Sequence, residues 1–428
     1  KGILKLLSRF IIDGGYRLKG NVRISGSKNA ALPILAATIL MDGDTHLDNV
    51  PHLLDISSMI KMLEALGLRA EYKNDCKVRV SNYRKIRHIA PYELITAMRA
   101  SFLVAGPILA KAGLAKIPFP GGCSIGARPV DIHLKGLKAL GAEINIEHGF
   151  VSFKAKKLVG NKIFFDFPSV GATENVMMAA TLAEGETVIE NAAQEPEIVD
   201  LGRFLNKAGA KIEGLGTNVL HITGVDTLHG VNYSVIPDRI EAGTFLLAGA
   251  ISKGEISLSG INLEHVQAVM SKMEDCGVRF SVESKGENEK VVHVKSGDSF
   301  KAVDISTRPF PGFPTDMQPQ MMTFLTLAQG TSVISESVFE NRFLHVNELQ
   351  RMGADIEIKR NNAIVRGVSS LSGAEVKITD LRAGAALVLA ALAAEGTTEI
   401  YGLKHLKRGY ANFAEKLTAL GAKVTSES

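Results

Sequence analysis

One pattern of apolar and polar residues recurs six times along the chain. Each copy has the end of an amphipathic helix, a glycine, and then a strand in which apolar and polar residues alternate, as in MLEALGLRAEY and GLKALGAEINI. The glycines are Gly67, Gly141, Gly209, Gly277, Gly353 and Gly421. Glycine closes a helix in the left-handed conformation at low cost. The pattern therefore predicts six copies of one structural unit.

A second, more apolar helix precedes the amphipathic helix in each copy. ENVMMAATLAEG and LRAGAALVLAALAAEG are apolar on nearly every side, which is typical of a helix buried all round. The fifth copy gives the clearest order: strand VDIS, a helix over 315–329, strand TSVIS, a helix over 342–352, and strands ADIEIK and NNAIVRG. Each unit is therefore predicted to be β-α-β-α-β-β.

Six such units in 428 residues favour an α/β fold of two domains with three units each. The apolar helices are expected at the centre of each pseudo-threefold domain and the strands outside. A break between the third and fourth units falls near NYSVIPDR. We expect one domain over residues 28–236 and the other over 1–27 together with 237–428, with the active site in the cleft between them.

Composition and charge narrow the functional classes. A hydrophobic fraction of 46% with 22% charged residues is ordinary for a globular enzyme or scaffold. The net charge of +4 and the absence of Trp argue against a dedicated nucleic-acid binder. No stretch approaches the roughly 18 uninterrupted apolar residues of a membrane span. No phosphate-binding loop, metal motif or obligate protein partner is evident, so no cofactor and no metal are predicted.

The three cysteines differ in their surroundings. Cys123 lies in the glycine-rich, charged stretch FPGGCSIGARPVDIH, where a thiol can act as a proton donor or as a nucleophile. Cys276 ends an amphipathic helix and is expected in the core, whereas Cys76 has no recognisable chemical neighbour. An odd number of cysteines favours a reducing compartment, and we expect a cytoplasmic protein. His133 is equally compatible with a ligand contact and a structural role.

Positive residues open several of the apolar helices. Lys28, Arg99 and Arg382 occupy such positions in SGSKNAAL, ITAMRASF and DLRAGAA. A cation there opposes the helix dipole and costs stability unless an anion binds. Asp238 and Asp380, by contrast, have the simpler interpretation of N-caps.

Further cations lie in short polar stretches, namely Arg128, Arg342 and Arg408. Any one of them is more often a solvated surface residue. Taken together, the cations predict a site for a small, strongly anionic ligand with phosphate and carboxylate groups, which guanidinium groups bind through paired hydrogen bonds.

The chain resembles the UDP-N-acetylglucosamine 1-carboxyvinyltransferase family of enolpyruvyl transferases in SGSKNAALPI, TAMRASFLV, PGGCSIGARPVDIH, SVGATENVM, PTDMQ, FENRFLH, LRAGAALV and RGY. The resemblance spans essentially the whole chain. It implies two inside-out α/β barrels of three units each. It also implies transfer of the enolpyruvyl group of phosphoenolpyruvate to the 3′-hydroxyl of UDP-N-acetylglucosamine with release of phosphate, the first committed step of peptidoglycan synthesis.

The resemblance also implies roles for single residues. Cys123 would be the catalytic thiol on a lid loop, and Asp316 would contact the sugar hydroxyl and act as the base. Lys28 and Arg408 would also be catalytic. The phosphoenolpyruvate contacts would be Lys28, Asn29, Arg128, Arg342, Arg382 and Arg408. The nucleotide-sugar contacts would be Arg99, Arg128, Pro129, Val130, Asp131, Ile132, Ser169, Val170, Asp316 and Val338. Phe167 and Pro168 stand where some relatives have a basic residue near the uridine.

Three alternatives stay open. The related transferase that acts on shikimate 3-phosphate would share the fold, but it lacks the lid cysteine and the RPVDIH run. A catalytically silent paralogue would bind the nucleotide sugar without turnover. An RNA-end-binding protein with similar repeats would need a more basic surface. The fold class alone does not separate them.

Overall fold

The computed structural model describes residues 8–73, 76–119, 130–286, 290–339 and 342–427. They form two compact units. The 26–236 unit comprises the described residues from Gly26 to Ile236, and the 237–427 unit comprises the described residues up to Ser25 together with those from Pro237 onwards. The boundaries expected from the sequence were after residues 27 and 236.

Elements are numbered along the chain. The first two strands, β1 (Arg9–Asp13) and β2 (Lys19–Arg23), belong to the 237–427 unit. The helices of the 26–236 unit are α1 (Lys28–Ala37), α2 (Leu54–Ala65), α3 (Tyr92–Ala97), α4 (Ala105–Ala112), α5 (Asp131–Ala139), α6 (Val170–Ala180) and α7 (Pro196–Lys207). Its strands are β3 (Met41–Asp48), β4 (Arg69–Lys73), β5 (Lys77–Asn82), β6 (Leu114–Pro118), β7 (Glu143–Glu147), β8 (Phe150–Lys154), β9 (Lys162–Phe164), β10 (Glu186–Glu190), β11 (Lys211–Glu213), β12 (Val219–Thr223), β13 (Leu228–His229) and β14 (Asn232–Ser234).

The 237–427 unit continues the numbering. Its helices are α8 (Arg239–Ile251), α9 (Leu263–Asp275), α10 (Gln318–Leu325), α11 (Val346–Arg351), α12 (Leu381–Ala393) and α13 (Phe413–Ala419). Its further strands are β15 (Glu255–Ser259), β16 (Arg279–Ser284), β17 (Lys290–Lys295), β18 (Phe300–Lys301), β19 (Ile305–Ser306), β20 (Ala328–Gln329), β21 (Thr331–Ser335), β22 (Asp355–Lys359), β23 (Asn362–Arg366), β24 (Glu375–Lys377), β25 (Thr397–Tyr401) and β26 (Lys423–Glu427). Short 3-10 helices span Thr38–Leu40, Arg99–Val104, Thr315–Met317 and Leu406–Arg408.

Four-stranded sheets of both units follow one plan. A parallel pair lies at one edge and the remaining strands are antiparallel, as in β9-β10-β12-β11, β2-β15-β17-β16, β19-β21-β23-β22 and β24-β25-β1-β26. The three-stranded sheet β6-β8-β7 is antiparallel throughout. The strand β1 is inserted between β25 and β26, although more than 380 residues separate β1 from β25. This long-range pairing is why the start of the chain belongs to the 237–427 unit.

The apolar helices lie at the centre of the 237–427 unit, as the sequence predicted. Every residue of α10 is buried, as are nearly all residues of α8 and α12, and these three helices pack against one another. The amphipathic helices α9, α11 and α13 bury only one face. None of the described helices combines the length and apolar character that are needed to cross a bilayer.

The six repeat glycines confirm the helix ends inferred from the sequence. All six lie in the left-handed region, with φ between +93° and +108°. A side chain at these positions would be strained because L residues rarely adopt such φ values.

Two predicted helices of the fifth unit were too long. The helix predicted over 315–329 is α10, which begins at Gln318, because Pro319 fits only into a first turn, where its missing N–H is not needed. It ends at Leu325, because Ala328–Gln329 pairs with Phe300–Lys301 as a strand. The helix predicted over 342–352 is α11, which covers only Val346–Arg351.

Cys276 lies in the core, as predicted, with no exposed surface. Burial raises the pKa of its thiol to about 12, so the thiol stays protonated and unreactive at neutral pH. Cys76 is exposed.

Three carboxylates lie close together in the interior of the 26–236 unit. Glu174 on α6, Glu195 at the start of α7 and Glu197 on α7 are all buried. Burial raises the pKa of Glu174 well above its ordinary value, and the charges of Glu197 and Glu195 raise it further. The folded chain therefore binds this proton more tightly than the unfolded chain, and stability falls as the pH rises above the ordinary glutamate pKa of about 4.3.

We expect Glu174→Gln to gain stability relative to the natural chain as the pH rises from about 5 to about 8, because the amide stays neutral throughout. Urea unfolding at several pH values measures this difference. Glu184→Gln is the control, because Glu184 is an exposed partner of Lys157. Parallel stability curves for Glu174→Gln and the natural chain would contradict the prediction.

Candidate active site

One carboxylate in the 237–427 unit accepts hydrogen bonds from two arginines. Asp316 Oδ1 accepts from Arg342 Nη2 at 2.8 Å. Asp316 Oδ2 accepts from Arg382 Nε at 3.1 Å and from Arg382 Nη2 at 2.9 Å. The arginine side chains are only 2% and 4% exposed, whereas the Asp316 side chain is 26% exposed. Asp316 therefore bridges two buried cations while part of it stays open to solvent.

Three segments of the unit bring these side chains together. Asp316 lies in the turn just before α10, Arg342 lies just before α11, and Arg382 is the second residue of α12. Asp380 caps α12, because its Oδ1 accepts from the backbone N–H of Arg382 at 2.9 Å and from that of Ala383 at 3.0 Å. The N-cap predicted at Asp380 is confirmed, and it fixes the backbone from which Arg382 projects.

The two guanidinium groups retain N–H groups for a further ligand. Among the described residues, Arg342 Nε, Arg342 Nη1 and Arg382 Nη1 are buried without a hydrogen-bond partner. A buried charged donor without a partner is costly, and a bound anion would satisfy it. The sequence predicted that an external anion compensates Arg382. The structure instead provides Asp316 as an internal counter-ion and leaves only the remaining donors for a ligand.

The same contacts set the ionisation of the carboxyl. Burial alone would raise the pKa of Asp316, but the charges and hydrogen bonds of Arg382 and Arg342 outweigh burial and hold this pKa well below its ordinary value. Asp316 is therefore an anion at neutral pH. As long as both arginines contact it, it is a weak base.

Arg408 is the last residue of the 3-10 helix Leu406–Arg408, which packs against α12. The next residue, Gly409, lies so close to Leu381 that a Cβ atom would meet its Cδ2 at 2.6 Å. A side chain at this position would have to displace the side chain of Leu381, so the segment lies directly against the first turn of α12. This contact brings the half-buried Arg408 to the end of α12 that carries Arg382.

His345 is fully buried next to Arg342. Burial lowers the pKa of His345 to about 4, and the charge of Arg342 lowers it further, although Asp380 acts in the opposite direction. The imidazole is therefore neutral at pH 7 and adds no positive charge next to Arg342.

Val338 is held by a buried carboxylate. Glu336 Oε1 accepts from the backbone N–H of Val338 at 2.8 Å and from that of Phe339 at 3.2 Å, and Glu336 Oε2 accepts from Thr315 Oγ1 at 2.9 Å. Glu336 thereby ties the segment of Val338 to the residue directly before Asp316. The ring of Phe339 lies 5.4 Å from Arg342 Cζ.

Lys28 has an internal carboxylate partner in the 26–236 unit. It is the first residue of α1, is 8% exposed, and places Nζ at 3.3 Å from Asp55 Oδ2. Asp55, in the first turn of α2, is also buried. The neighbouring Asn29 is half-buried. The cation at this helix start is therefore compensated in the same way as Arg382.

Several predicted nucleotide-sugar contacts lie at helix starts of the 26–236 unit. Ser169 caps α6, with Oγ accepting from Ala172 N at 3.4 Å, and Val170 follows as the first residue of α6. Val130 precedes α5, which begins with Asp131 and Ile132. Nearby, His133 Nδ1 lies 3.2 Å from Asn175 Nδ2.

Other predicted site residues lie outside the described part of the chain. Cys123, Arg128 and Pro129 belong to this group. The backbone of Arg99 is described and starts the 3-10 helix Arg99–Val104, whereas α4 begins only at Ala105. The expectation that Arg99 opens the apolar helix was therefore wrong, because the 3-10 helix Arg99–Val104 lies between Arg99 and the start of α4.

Sequence reasoning missed Asp55 and Glu336 as parts of the site. Asp55 offered only the weak signal of an acid in a first helical turn. Both contact partners from distant segments, which a linear motif does not reveal.

Comparison with known proteins identifies relatives of this chain. The profile of the EPSP synthase (3-phosphoshikimate 1-carboxyvinyltransferase) family matches residues 12–417. UDP-N-acetylglucosamine 1-carboxyvinyltransferase 1 of Caldanaerobacter subterraneus subsp. tengcongensis is 55% identical over 419 residues, covering 97% of this chain and 99% of the relative. The UDP-N-acetylglucosamine 1-carboxyvinyltransferase of Gloeobacter violaceus is 54% identical over 413 residues, covering 96% and 89%.

Solved structures share the fold. The enolpyruvyl transferase NikO from Streptomyces tendae superimposes with a TM-score of 0.88 at 24% identity, covering 98% of this chain and 99% of that one. EPSP synthase from Acinetobacter baumannii gives a TM-score of 0.77 at 20% identity, covering 98% and 100%. The family profile spans most of this chain, and the relatives from Caldanaerobacter and Gloeobacter share more than half of its residues. The chain therefore belongs to the enolpyruvyl transferase family that includes the UDP-N-acetylglucosamine 1-carboxyvinyltransferases.

Proposed function

We propose that this protein transfers the enolpyruvyl group of phosphoenolpyruvate to the 3′-hydroxyl of UDP-N-acetylglucosamine and releases phosphate. The reaction class rests on one observation: Arg342 and Arg382 converge on the accessible carboxylate of Asp316 and keep buried N–H groups that have no hydrogen-bond partner in the described part of the chain. The identity of the acceptor substrate is supported by the names of relatives that are 49% to 55% identical to this chain. The solved 3-phosphoshikimate enzymes are only 20% identical.

The reaction requires an acid at one carbon and a base at the incoming hydroxyl. Cys123 would give a proton to C3 of phosphoenolpyruvate, which makes C2 electrophilic. The acceptor oxygen then bonds to C2 and passes its proton to Asp316. In the second half, C3 returns a proton to the Cys123 thiolate, the bond from C2 to the phosphate oxygen breaks, and phosphate leaves with the proton that Asp316 had accepted. An acid and a base that are well positioned each supply about 10²–10⁴-fold.

We assign the carboxylate of phosphoenolpyruvate to Arg342 and Arg382, and its phosphate to Lys28, Arg128 and Arg408. Guanidinium groups bind both kinds of anion through paired hydrogen bonds. An arriving anion would bind the N–H groups of Arg342 and Arg382 that Asp316 does not use. Its negative charge beside Asp316 would raise the pKa of Asp316 towards its ordinary value, and the carboxylate would become a better base.

The acceptor would lie against Ser169, Val170 and Val338, with its hydroxyl directed at Asp316. This arrangement is supported by the hydrogen bonds through which Glu336 links Val338 to the residue before Asp316. Because Cys123 must be reduced to act as an acid, we also propose that the protein works in the cytoplasm.

Phosphate release from phosphoenolpyruvate, measured with each acceptor in turn, tests the proposal. We expect turnover with UDP-N-acetylglucosamine and none with shikimate 3-phosphate. The reverse result would overturn the assignment. Binding of UDP-N-acetylglucosamine without any turnover would instead identify a silent paralogue.

The role of Cys123 has its own test. An epoxide phosphonate such as fosfomycin should add covalently to the natural chain, as seen by intact-mass spectrometry, and should not add to Cys123→Ser. Cys276→Ser is the control. Because Cys276 is buried, this variant should gain the same single adduct as the natural chain. Full activity of the Cys123→Ser variant would refute the role as acid.

A further inference from the structure

A cluster of hydroxyl and amide groups lies where three elements of the 237–427 unit meet. Thr244 is on α8, Gln320 is on α10, and Tyr410 follows the 3-10 helix Leu406–Arg408; all three side chains are buried. The hydroxyl oxygen of Tyr410 lies 3.0 Å from Thr244 Oγ1 and 3.2 Å from Gln320 Nε2. The proposed mechanism assigns no role to these residues.

The hydrogen bonds of this cluster run in one direction. Thr244 donates its only hydroxyl hydrogen to the carbonyl of Ile240 at 2.7 Å, so its Oγ1 accepts from Tyr410. Gln320 Nε2 is a donor, so the oxygen of Tyr410 accepts from it. The chain of donors therefore runs from α10 through Tyr410 to the backbone of α8. Because the Tyr410 hydroxyl both donates and accepts a hydrogen bond, this chain restrains the phenol from two sides.

The ring of Tyr410 lies beside Arg382. Arg382 Cζ is 5.6 Å from the ring centroid, within the range of a cation–π contact. The ring also packs against Phe413, with 4.7 Å between centroids. Two nitrogens of Arg382 contact Asp316, and its Nη1 is buried without a hydrogen-bond partner among the described residues. The ring and Asp316 thus restrain the guanidinium group together.

We propose that Tyr410 is a positioning residue for Arg382: the directed hydroxyl chain fixes its ring, and the ring holds the guanidinium plane so that the remaining N–H edge meets phosphoenolpyruvate. This inference rests on the proposed function, because it assigns Arg382 to that substrate. Thr244 and Gln320 act through Tyr410. None of the three has to touch the substrate.

Three variants separate the parts of this arrangement. Tyr410→Phe keeps the ring and removes the hydroxyl. We expect its KM for phosphoenolpyruvate to rise about 3-fold to 10-fold, as for the loss of one buried hydrogen bond. Thr244→Val removes the acceptor of the Tyr410 hydroxyl without changing the ring or Arg382, and it should have the same effect. Tyr410→Leu also removes the cation–π contact and should raise this KM by about 30-fold or more. The KM for UDP-N-acetylglucosamine should change less than about twofold in all three.

A matched control comes from the 26–236 unit. The hydroxyl of Tyr233 donates to Asp200 Oδ1 at 2.6 Å, so Tyr233→Phe makes the same chemical change far along the chain from Arg382. It should lower stability in urea without changing the KM for phosphoenolpyruvate. A purely structural role for Tyr410 would make Tyr410→Phe behave like this control.

Direct titration of phosphoenolpyruvate by calorimetry gives a readout that does not depend on turnover. The inference is overturned if Tyr410→Phe and Thr244→Val bind phosphoenolpyruvate as the natural chain does, or if they weaken both substrates equally. If the natural chain turns over UDP-N-acetylglucosamine and these variants show no effect, the proposed function stands and only the inference fails. A natural chain that does not bind phosphoenolpyruvate overturns both.

Discussion

Asp316→Asn should lower kcat by about 10²- to 10⁴-fold, the effect of removing a positioned base, and should bind phosphoenolpyruvate more tightly than the natural chain does. The gain in binding follows because the carboxylate that now accepts from Arg342 and Arg382 would no longer place a negative charge beside the anionic substrate. Steady-state kinetics and calorimetry measure the two effects. If kcat and affinity fell together, the charge of Asp316 would not oppose substrate binding.

The same variant should also be less stable. Removing one partner of a buried ion pair leaves uncompensated charge and costs about 3–5 kcal/mol. Inorganic phosphate should restore more stability to Asp316→Asn than it adds to the natural chain, because it can replace the lost anion. Asp298→Asn is the control, since Asp298 forms an exposed contact with Arg17 at 3.5 Å. Such surface pairs contribute little.

Arg382→Lys should lower kcat/KM for phosphoenolpyruvate by about 10²- to 10³-fold, as for the loss of a preorganised donor to the reacting anion. Lysine keeps the charge but cannot place two N–H groups on Asp316 Oδ2 and a third on a ligand, and it loses the planar contact with Tyr410. The KM for the acceptor should stay near that of the natural chain.

Arg366→Lys is a matched control for this change. Arg366 also contacts two acceptors, Asp355 at 3.1 Å and Glu357 at 2.9 Å, but its side chain is 44% exposed. It should keep full activity. Near-natural kinetics for Arg382→Lys would mean that charge alone, rather than the paired geometry, holds the substrate.

The sequence was sufficient for features that depend on neighbouring residues. The glycines that end helices, the N-caps at Asp238 and Asp380, and the buried position of Cys276 all follow from spacing within one or two turns. The fully apolar helices were recognisable for the same reason, because their pattern reports burial on every side. The predicted end of α10 was wrong, because the pairing of Ala328–Gln329 with the distant strand Phe300–Lys301 is not a local property.

The partners of the site cations depended on the tertiary structure. The sequence marked Arg382 and Lys28 as cations in unfavourable positions, and it predicted an external anion for both. The structure places Asp316, which is 66 residues from Arg382, and Asp55, which is 27 residues from Lys28, as internal partners. Spacing along the chain determines which residues share a helix or a strand. Only the packing of distant helices and turns decides which carboxylate meets which buried cation, because that contact arises from the folding of the whole unit.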